Sequence, residues 1–342
     1  MKLAMFTDIH WGAKGNSVLH NNDCLDYVDW FIDNVQRTRA DSIIFMGDWF
    51  ENRNAINVGT LNKSYEGLSR LDSLRIPIYF CIGNHDLYHR SNRSIYSTFH
   101  FKSFKNVVLI NEIEAIGPLL FSPFLFREEY ATLAATIEAK KSQYVFGHFE
   151  FRNFVVTGSD RKMEHGPDHT QFSSPKFIFS GHYHKRQALD NVIYIGNTFP
   201  TNFGDAWDDA RGMALLDTDT DEIDFIDWPA CPKYRKIKLS SILENPSTNF
   251  DSKTRVRCLV DIDIAYSEAQ DIKQEILNTF NLREFSLEEN LNEKKEVLGS
   301  EESFADLEFS TLNDAVVNML KTGITNTTSI DANRLIEIYQ QL

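Results

Sequence analysis

Short apolar runs rich in β-branched and aromatic side chains recur through the first part of the chain. Lys2–Thr7, Ser42–Met46, Ile78–Ile82, Tyr144–Phe146 and Phe177–Phe179 read as buried strands. Apolar residues at helical spacing separate them. Leu25, Val28, Trp30–Ile32 and Val35 predict a helix over Asn21–Arg37, a second spans Val58–Leu74 and stops before Pro77, and a third covers Glu128–Lys141. Strands alternating with helices predict a layered α/β domain. Val107–Phe121 and Gln187–Trp228 are mostly strand and turn, so the sheets should be mixed rather than purely parallel.

The pattern changes at Pro229–Pro232. Beyond it, Arg255–Ile264 alternates as a strand, Ser267 is placed to cap a helix over Glu268–Phe280, and Arg283–Leu287 supplies a further strand. Asn290–Glu308 is acidic and reads as a connector. After it, Thr311 with Asp314 forms a capping-box pattern, and Leu312, Ala315, Val316, Met319 and Leu320 share one face until Gly323; Ile330–Leu342 gives a second helix. The expected organisation is therefore 1–230, 231–290, a linker over 291–310, and a helical hairpin over 311–342.

The chain has 342 residues, enough for a sizeable core without disulfides, and Cys24, Cys81, Cys231 and Cys258 lie far apart with no CxxC. This excludes a thiolate zinc cluster and fits a reducing cytosol. No apolar run approaches the ~18 residues of a membrane span, and the N-terminus lacks the apolar stretch of a signal peptide. The net charge of −14 argues against polyanion binding by the surface at large. The charge is uneven, however: residues 1–200 are neutral, 201–230 carry −8, 231–257 carry +5 and 258–342 carry −11. A local basic segment inside an acidic chain points to different partners for different regions.

Five apolar runs end in residues able to hold a metal: Asp8 and His10; Asp48; Asn84, His85 and Asp86; His148; His182 and His184. Sites in α/β sheets form at the C-terminal ends of strands. In extended backbone, residues two apart share a side, so Asp8 with His10, and His182 with His184, can face one centre. Glycine precedes Asp48, Asn84, His148 and His182, which allows a tight turn. Carboxylate, amide and imidazole donors without thiolate suit Mn²⁺, Fe or Zn²⁺. Seven of these nine residues as ligands exceed the needs of one ion, and two ions about 3.5–4 Å apart sharing one carboxylate would use all seven.

D-x-H, G-D, G-N-H-D, G-H and G-H-x-H, in this order over about residues 1–200, resemble the calcineurin-like binuclear metallophosphoesterases. The resemblance implies a four-layer α/β/β/α sandwich. It assigns Asp8, His10, Asp48 and His184 to one metal and Asp48, Asn84, His148 and His182 to the other. His85 matches the transition-state histidine and Asp86 the carboxylate that orients it. The protein-phosphatase branch has G-D-x-x-D-R-G and G-N-H-E, where this chain has Gly47-Asp48-Trp49-Phe50-Glu51-Asn52-Arg53 and Gly83-Asn84-His85-Asp86. The opening motif and the appended module are similar to the SbcD nucleases of double-strand-break repair, in the compact form found in tailed bacteriophages.

That similarity implies Mn²⁺-dependent exonuclease and single-strand endonuclease action on DNA, with Mg²⁺, Fe or Zn²⁺ as alternative metals. It also implies a DNA-binding capping module over 231–290, an SbcC-like coiled-coil ATPase partner docking at 311–342, a homodimer, and a place in the cytoplasm of a host. A phosphomonoesterase or nucleotide phosphodiesterase would carry the same metals, and a non-catalytic scaffold for the ATPase is the rival of a different class. Lys185 and Arg186, next to His184, and Lys233, Arg235 and Lys236, in the basic strip, are the candidate DNA contacts. His165 and His169 read as solvated loop residues, and Asp205, Asp208 and Asp209 as a solvated acidic loop beside the site.

Overall fold

A computed structural model of the chain describes residues 1–156, 161–245 and 250–289. The expected helical hairpin and acidic linker lie outside these residues. Each of the five strands expected in the first 200 residues is present within a residue of its expected end, while the strand expected over Arg255–Ile264 stops at Val260 and the one over Arg283–Leu287 runs on to Glu289. In chain order the strands are β1 (Lys2–Phe6), β2 (Ser42–Met46), β3 (Ile78–Cys81), β4 (Val107–Ile110), β5 (Glu114–Ile116), β6 (Leu119–Phe121), β7 (Tyr144–Gly147) and β8 (Phe177–Ser180). They continue with β9 (Gln187–Leu189), β10 (Val192–Tyr194), β11 (Gly212–Asp217), β12 (Glu222–Asp227), β13 (Lys233–Lys238), β14 (Thr254–Val260) and β15 (Glu284–Glu289).

Two six-stranded mixed sheets result, ordered β12-β11-β1-β2-β3-β4 and β5-β6-β7-β8-β10-β9. The period of two along each strand divides the core into layers. Leu3, Met5, Ile44, Met46, Phe121, Phe146 and Phe179 form one cluster between the sheets. Their neighbours Ala4, Phe6, Ile43 and Phe45 pack in another cluster with Cys24, Val28, Phe31 and Leu68 from helices Val18–Thr38 and Val58–Asp72. Leu120, Val145 and Ile178 meet Leu133 and Ile137 of helix Tyr130–Lys140 on the far side of the second sheet. The architecture is the expected α/β/β/α sandwich.

Element boundaries moved where local chemistry outweighed periodicity. The first helix begins at Val18, three residues early, because the Ser17 hydroxyl caps it by accepting from the His20 amide. The third begins at Tyr130, after a tight turn over Arg127–Glu129, and ends where Lys141 turns left-handed. Ser267 does not cap its helix. That helix runs Tyr266–Thr279, and Glu268 reaches back to accept from the Ala265 amide at 3.0 Å.

β13, β14 and β15 form a separate parallel sheet, with helices Leu239–Glu244 and Tyr266–Thr279 as its crossovers. Its apolar face closes on Leu239, Ile242, Val256, Cys258, Ile276 and Phe285. Ion pairs join this module to the first helix: Arg283 donates to Asp23 at 3.0 Å and Lys253 to Asp26 at 2.7 Å. Residues 1–289 thereby form one compact unit.

Candidate metal centre

Asp8 and His10 follow β1, Asp48 follows β2, Asn84 and His85 follow β3, His148 follows β7, and His182 and His184 follow β8. All these strands end at one edge of the two facing sheets. The loops after β1 and β2 are bonded together, with Asp8 N donating to Gly47 O at 3.0 Å, His10 N to Asp48 O at 3.2 Å and Trp11 N to Trp49 O at 2.8 Å. Strand alternation does not orient the ligands, contrary to expectation. Asp8, His10, Asp48 and His182 lie beyond the strand ends with φ of 52°, 51°, 59° and 87°. Four side chains of one site in the left-handed region is strain held by its surroundings.

Of the four glycines, Gly47 takes the expected turn role with φ 99°, whereas Gly83 and Gly181 serve differently. A Cβ on Gly83 would lie 2.2 Å from both Asp48 N and Asp48 Oδ1, and one on Gly181 would lie 2.1 Å from Thr7 Oγ1 and 2.7 Å from Asp8 Oδ2. These residues let the loops close over the two carboxylates.

Asp48 stands between two groups of donors. Its Oδ2 lies 3.8 Å from His10 Nε2 and 3.4 Å from His148 Nε2, while Asp8 Oδ1 lies 3.8 Å from His10 Nε2 and 3.7 Å from His184 Nε2. On the second side, Asn84 Oδ1 is 2.9 Å from His148 Nε2 and 3.0 Å from His182 Nδ1. The structure thus brings all seven sequence-predicted ligands together. Ligand atoms of Asp8, His10 and His184, and of Asp8, Asp48 and His148, fall within 4.8 Å of one another. The tautomer of His148 is set by its Nδ1–H, which donates to Met46 O at 2.7 Å and turns Nε2 inward.

The electrostatics fit a cation. Asp8 and Asp48 are buried, and among the described residues their ion-pair partners are histidines, with no Lys or Arg. Burial opposes ionisation of Asp48, yet His148, His85 and His10 together hold its carboxyl well below the usual range. Burial likewise disfavours charge on His148, but Asp48 and Asp8 raise it to about 9. Burial and the neighbouring His148 take His182 down to about 3, so it is a neutral donor. Like charges this close require compensating positive charge. Protons on imidazole supply it here, and the same nitrogen and oxygen atoms are a donor set for divalent metal.

The cleft over these groups has a volume of about 310 Å³ and is lined by His10, Lys14, Asp48, Glu51, Asn84, His85, His182 and His184, among others. His85 lines it as expected, but Asp86 does not orient it. The buried Asp86 carboxylate accepts from four backbone amides: Asp48 at 3.1 Å, Gly83 at 2.9 Å, Trp49 at 3.0 Å and Phe50 at 3.2 Å. It holds the β2 loop to the β3 loop. His85 is set instead by Glu51, whose carbonyl is 2.7 Å from His85 Nδ1. The Glu51 carboxylate lies 2.8 Å from His10 Nδ1, and mainly through this contact its own pKa falls to about 2. Glu51 therefore orients two site histidines, a role that sequence reasoning missed. Its only signal was an acid three residues after Asp48. His20 was missed as well: its Nε2 lies 2.8 Å from His10 O, behind the site.

Other expectations need correction. Asp205, Asp208 and Asp209 are not a solvated acidic loop. Asp205 is buried, Asp208 pairs with Arg211 at 2.6 Å, and Asp209 pairs with Arg235. Arg235 is consequently buried and committed, and Arg186 pairs with Asp227 at 2.9 Å and lies over the Phe225 ring. Lys233 pairs with Asp251 at 2.7 Å. Lys185 and Lys236 are exposed. His169 is buried against Asp190 at 2.8 Å, whereas His165 is exposed as expected.

The fold and the site define a metal-dependent phosphoesterase. The profile of the calcineurin-like phosphoesterase family matches residues 1–186, and the chain belongs to that family. It is 26% identical to exonuclease subunit 1 of Enterobacteria phage T4 over 66% of this chain and 67% of the relative. It is 24% identical to a putative phosphoesterase of Invertebrate iridescent virus 3, over 52% of this chain and 53% of that one. Among solved structures, a dimetal phosphatase from Danio rerio aligns at 10% identity with a TM-score of 0.41, over 63% of this chain and 91% of the other. No helix of the described residues is long and apolar enough to cross a membrane.

The anchoring role of Asp86 has a measurable consequence. Asp86→Ala leaves four buried amides without an acceptor, and each such loss costs about 1–3 kcal/mol. We expect a loss of stability of more than about 3 kcal/mol in urea titration. A variant as stable as the wild type, impaired only in turnover, would restore the His85-orienting role.

Proposed function

We propose that the chain is a Mn²⁺-dependent DNA nuclease, with exonuclease and single-strand endonuclease action, and the nuclease subunit of an SbcC–SbcD-like recombination and repair complex. The observation that carries the reading is Asp48, one buried carboxylate facing two donor groups. On this reading Asp8, His10, Asp48 and His184 hold one ion and Asp48, Asn84, His148 and His182 the other. Similarity to a phage exonuclease subunit supports DNA as substrate and a second subunit as partner. Lys185 and Lys236 are the candidate DNA contacts that remain exposed and without an ion pair among the described residues.

Bound divalent cations supply positive charge against the phosphate and acidify water. The protein's part is positional. Glu51 fixes His10 through Nδ1, so that Nε2 faces Asp8, Asp48 and His184. Its carbonyl takes the Nδ1–H of His85, leaving Nε2 as the nitrogen that serves the cleft. In the imidazolium form, which carries a proton on Nε2 as well, His85 gives a hydrogen bond or a proton from there to the phosphate or the leaving oxygen. The backbone amide of His85 bonds Asp48 Oδ1 at 2.8 Å, so histidine and bridging carboxylate move as one unit.

Asp48→Asn should abolish hydrolysis of linear duplex, single-stranded DNA and a chromogenic phosphodiester, and elemental analysis should find both metals depleted. Two full metal equivalents with normal turnover would sink the assignment. His85→Ala should keep its metal content and lose turnover by roughly 10²–10⁴; loss of metal instead would make His85 a ligand. For the partner, deletion of residues 309–342 should preserve the melting temperature and the cleavage of short DNA while abolishing capture of a coiled-coil ATPase. A truncated chain that binds the ATPase as tightly as the full one refutes docking there.

A further inference from the structure

A second groove of about 460 Å³ opens beside the metal cleft and shares Lys14, Thr201 and Asn202 with it. Its other walls come from the turn Phe203–Gly204 and from Tyr234, Lys236, Arg255, Arg257 and Glu284 on β13, β14 and β15. Four cations against one carboxylate is a local reversal in a chain of net charge −14. The carboxylates nearby do not neutralise them all. Arg255 pairs with Glu284 at 3.1 Å and Arg257 with Glu288 at 2.9 Å, while neither Lys14 nor Lys236 forms an ion pair among the described residues. Burial, and then the nearby Arg255, lower Lys14 to about 8. The free protein therefore crowds cations together at a cost, and an anion in the groove relieves it.

Aromatic rings are interleaved with these charges. The Arg257 guanidinium lies 4.2 Å from the Phe203 ring centre, and Lys14 Nζ lies 4.4 Å from that of Tyr234. Trp207 sits at the outer edge of β13, its amide donating to Tyr234 O and its indole Nε1–H to Lys236 O, each at 3.1 Å. Arg235 covers its ring at 4.5 Å, yet Trp207 remains 60% exposed. Its φ of 69° places a bulky residue in the left-handed region, strain that its surroundings must hold. Trp207 borders the groove rather than lining it: its indole is fixed to the backbone of Lys236, one of the lining residues, and the ring surface not covered by Arg235 is open to solvent.

We propose that this groove is a track for single-stranded nucleic acid leading from the metal cleft, with Lys14, Lys236 and Arg257 facing its phosphates and Trp207 stacking one base. A phosphate backbone needs the line of cations, and unpaired bases supply flat faces that a duplex keeps stacked inside itself. The proposal rests on the nuclease reading above and adds the strand form and its path.

The test uses the full chain, an end-labelled fifteen-residue oligothymidylate and a labelled hairpin duplex, with anisotropy measured in chelator so that nothing is cut. Wild type should bind the single strand more tightly than the duplex. Trp207→Ala should weaken single-strand binding about 5- to 100-fold, the range of one lost base stack, while Trp207→Phe retains most of it. Lys236→Ala with Arg257→Ala should reduce the dependence of binding on salt. Tyr65→Ala, an exposed aromatic of the helix Val58–Asp72, is the control, and a thermal melt of each variant reports folding. Equal binding of both DNA forms by wild type, or a folded Trp207→Ala that binds the oligothymidylate like wild type, overturns the track. Failure of the nuclease reading looks different: with Mn²⁺ restored, wild type would hydrolyse a chromogenic phosphodiester and cut neither DNA.

Discussion

Two carboxylates, Asp8 and Asp48, are buried side by side at the ends of neighbouring parallel strands. Burial without compensation would cost each of them several kcal/mol. Everything around them answers that constraint. Imidazoles rather than Lys or Arg face them, which keeps the compensating positive charge exchangeable: protons can leave and divalent ions can enter. The backbone is bent into the left-handed region at four donor positions to aim them inward. Glycines 83 and 181 remove the side chains that would keep the loops apart.

Contacts behind the donors make the arrangement rigid. Asp86 gathers four amides from the β2 and β3 loops, Met46 O fixes His148, and Glu51 fixes both His10 and His85. These groups do not need to touch a substrate. They set tautomers and distances, which is what a site dependent on placement requires. The scaffold below is stiff for a simple reason: the strands carrying the donors are packed on both faces, with Met5, Ile44 and Phe179 inward and Phe6, Phe45 and Phe80 against the helices.

The small module places charge beside this centre. Arg235 and Arg211 are used internally, tying the acidic loop 205–209 to β13 and to the site's flank. That internal use brings Phe203 and Trp207 alongside β13 and leaves Lys14 and Lys236 outside any ion pair among the described residues. The acid-rich stretch and the basic stretch, separate in sequence, are thus partners in space.

The chain by itself determined a layered α/β domain with mixed sheets and the run-end donors, because both follow from local rules, while the four-layer sandwich was legible only through the resemblance carried by the motifs. Apolar runs of strand length make buried strands, and a metal-capable residue just past such a run must lie at a sheet edge. It also placed His85 in the cleft. Sequence could not tell Asp86 from Glu51 as the partner of His85, because the family resemblance suggested Asp86 and the packing of the loop after β2 delivered Glu51. Nor could it separate structural from exposed basic residues in Lys233–Lys238, since Arg235 is buried only because Asp209, 26 residues earlier, folds onto it. Pairings across long separations are decided by how loops pack, and that is a property of the tertiary structure alone.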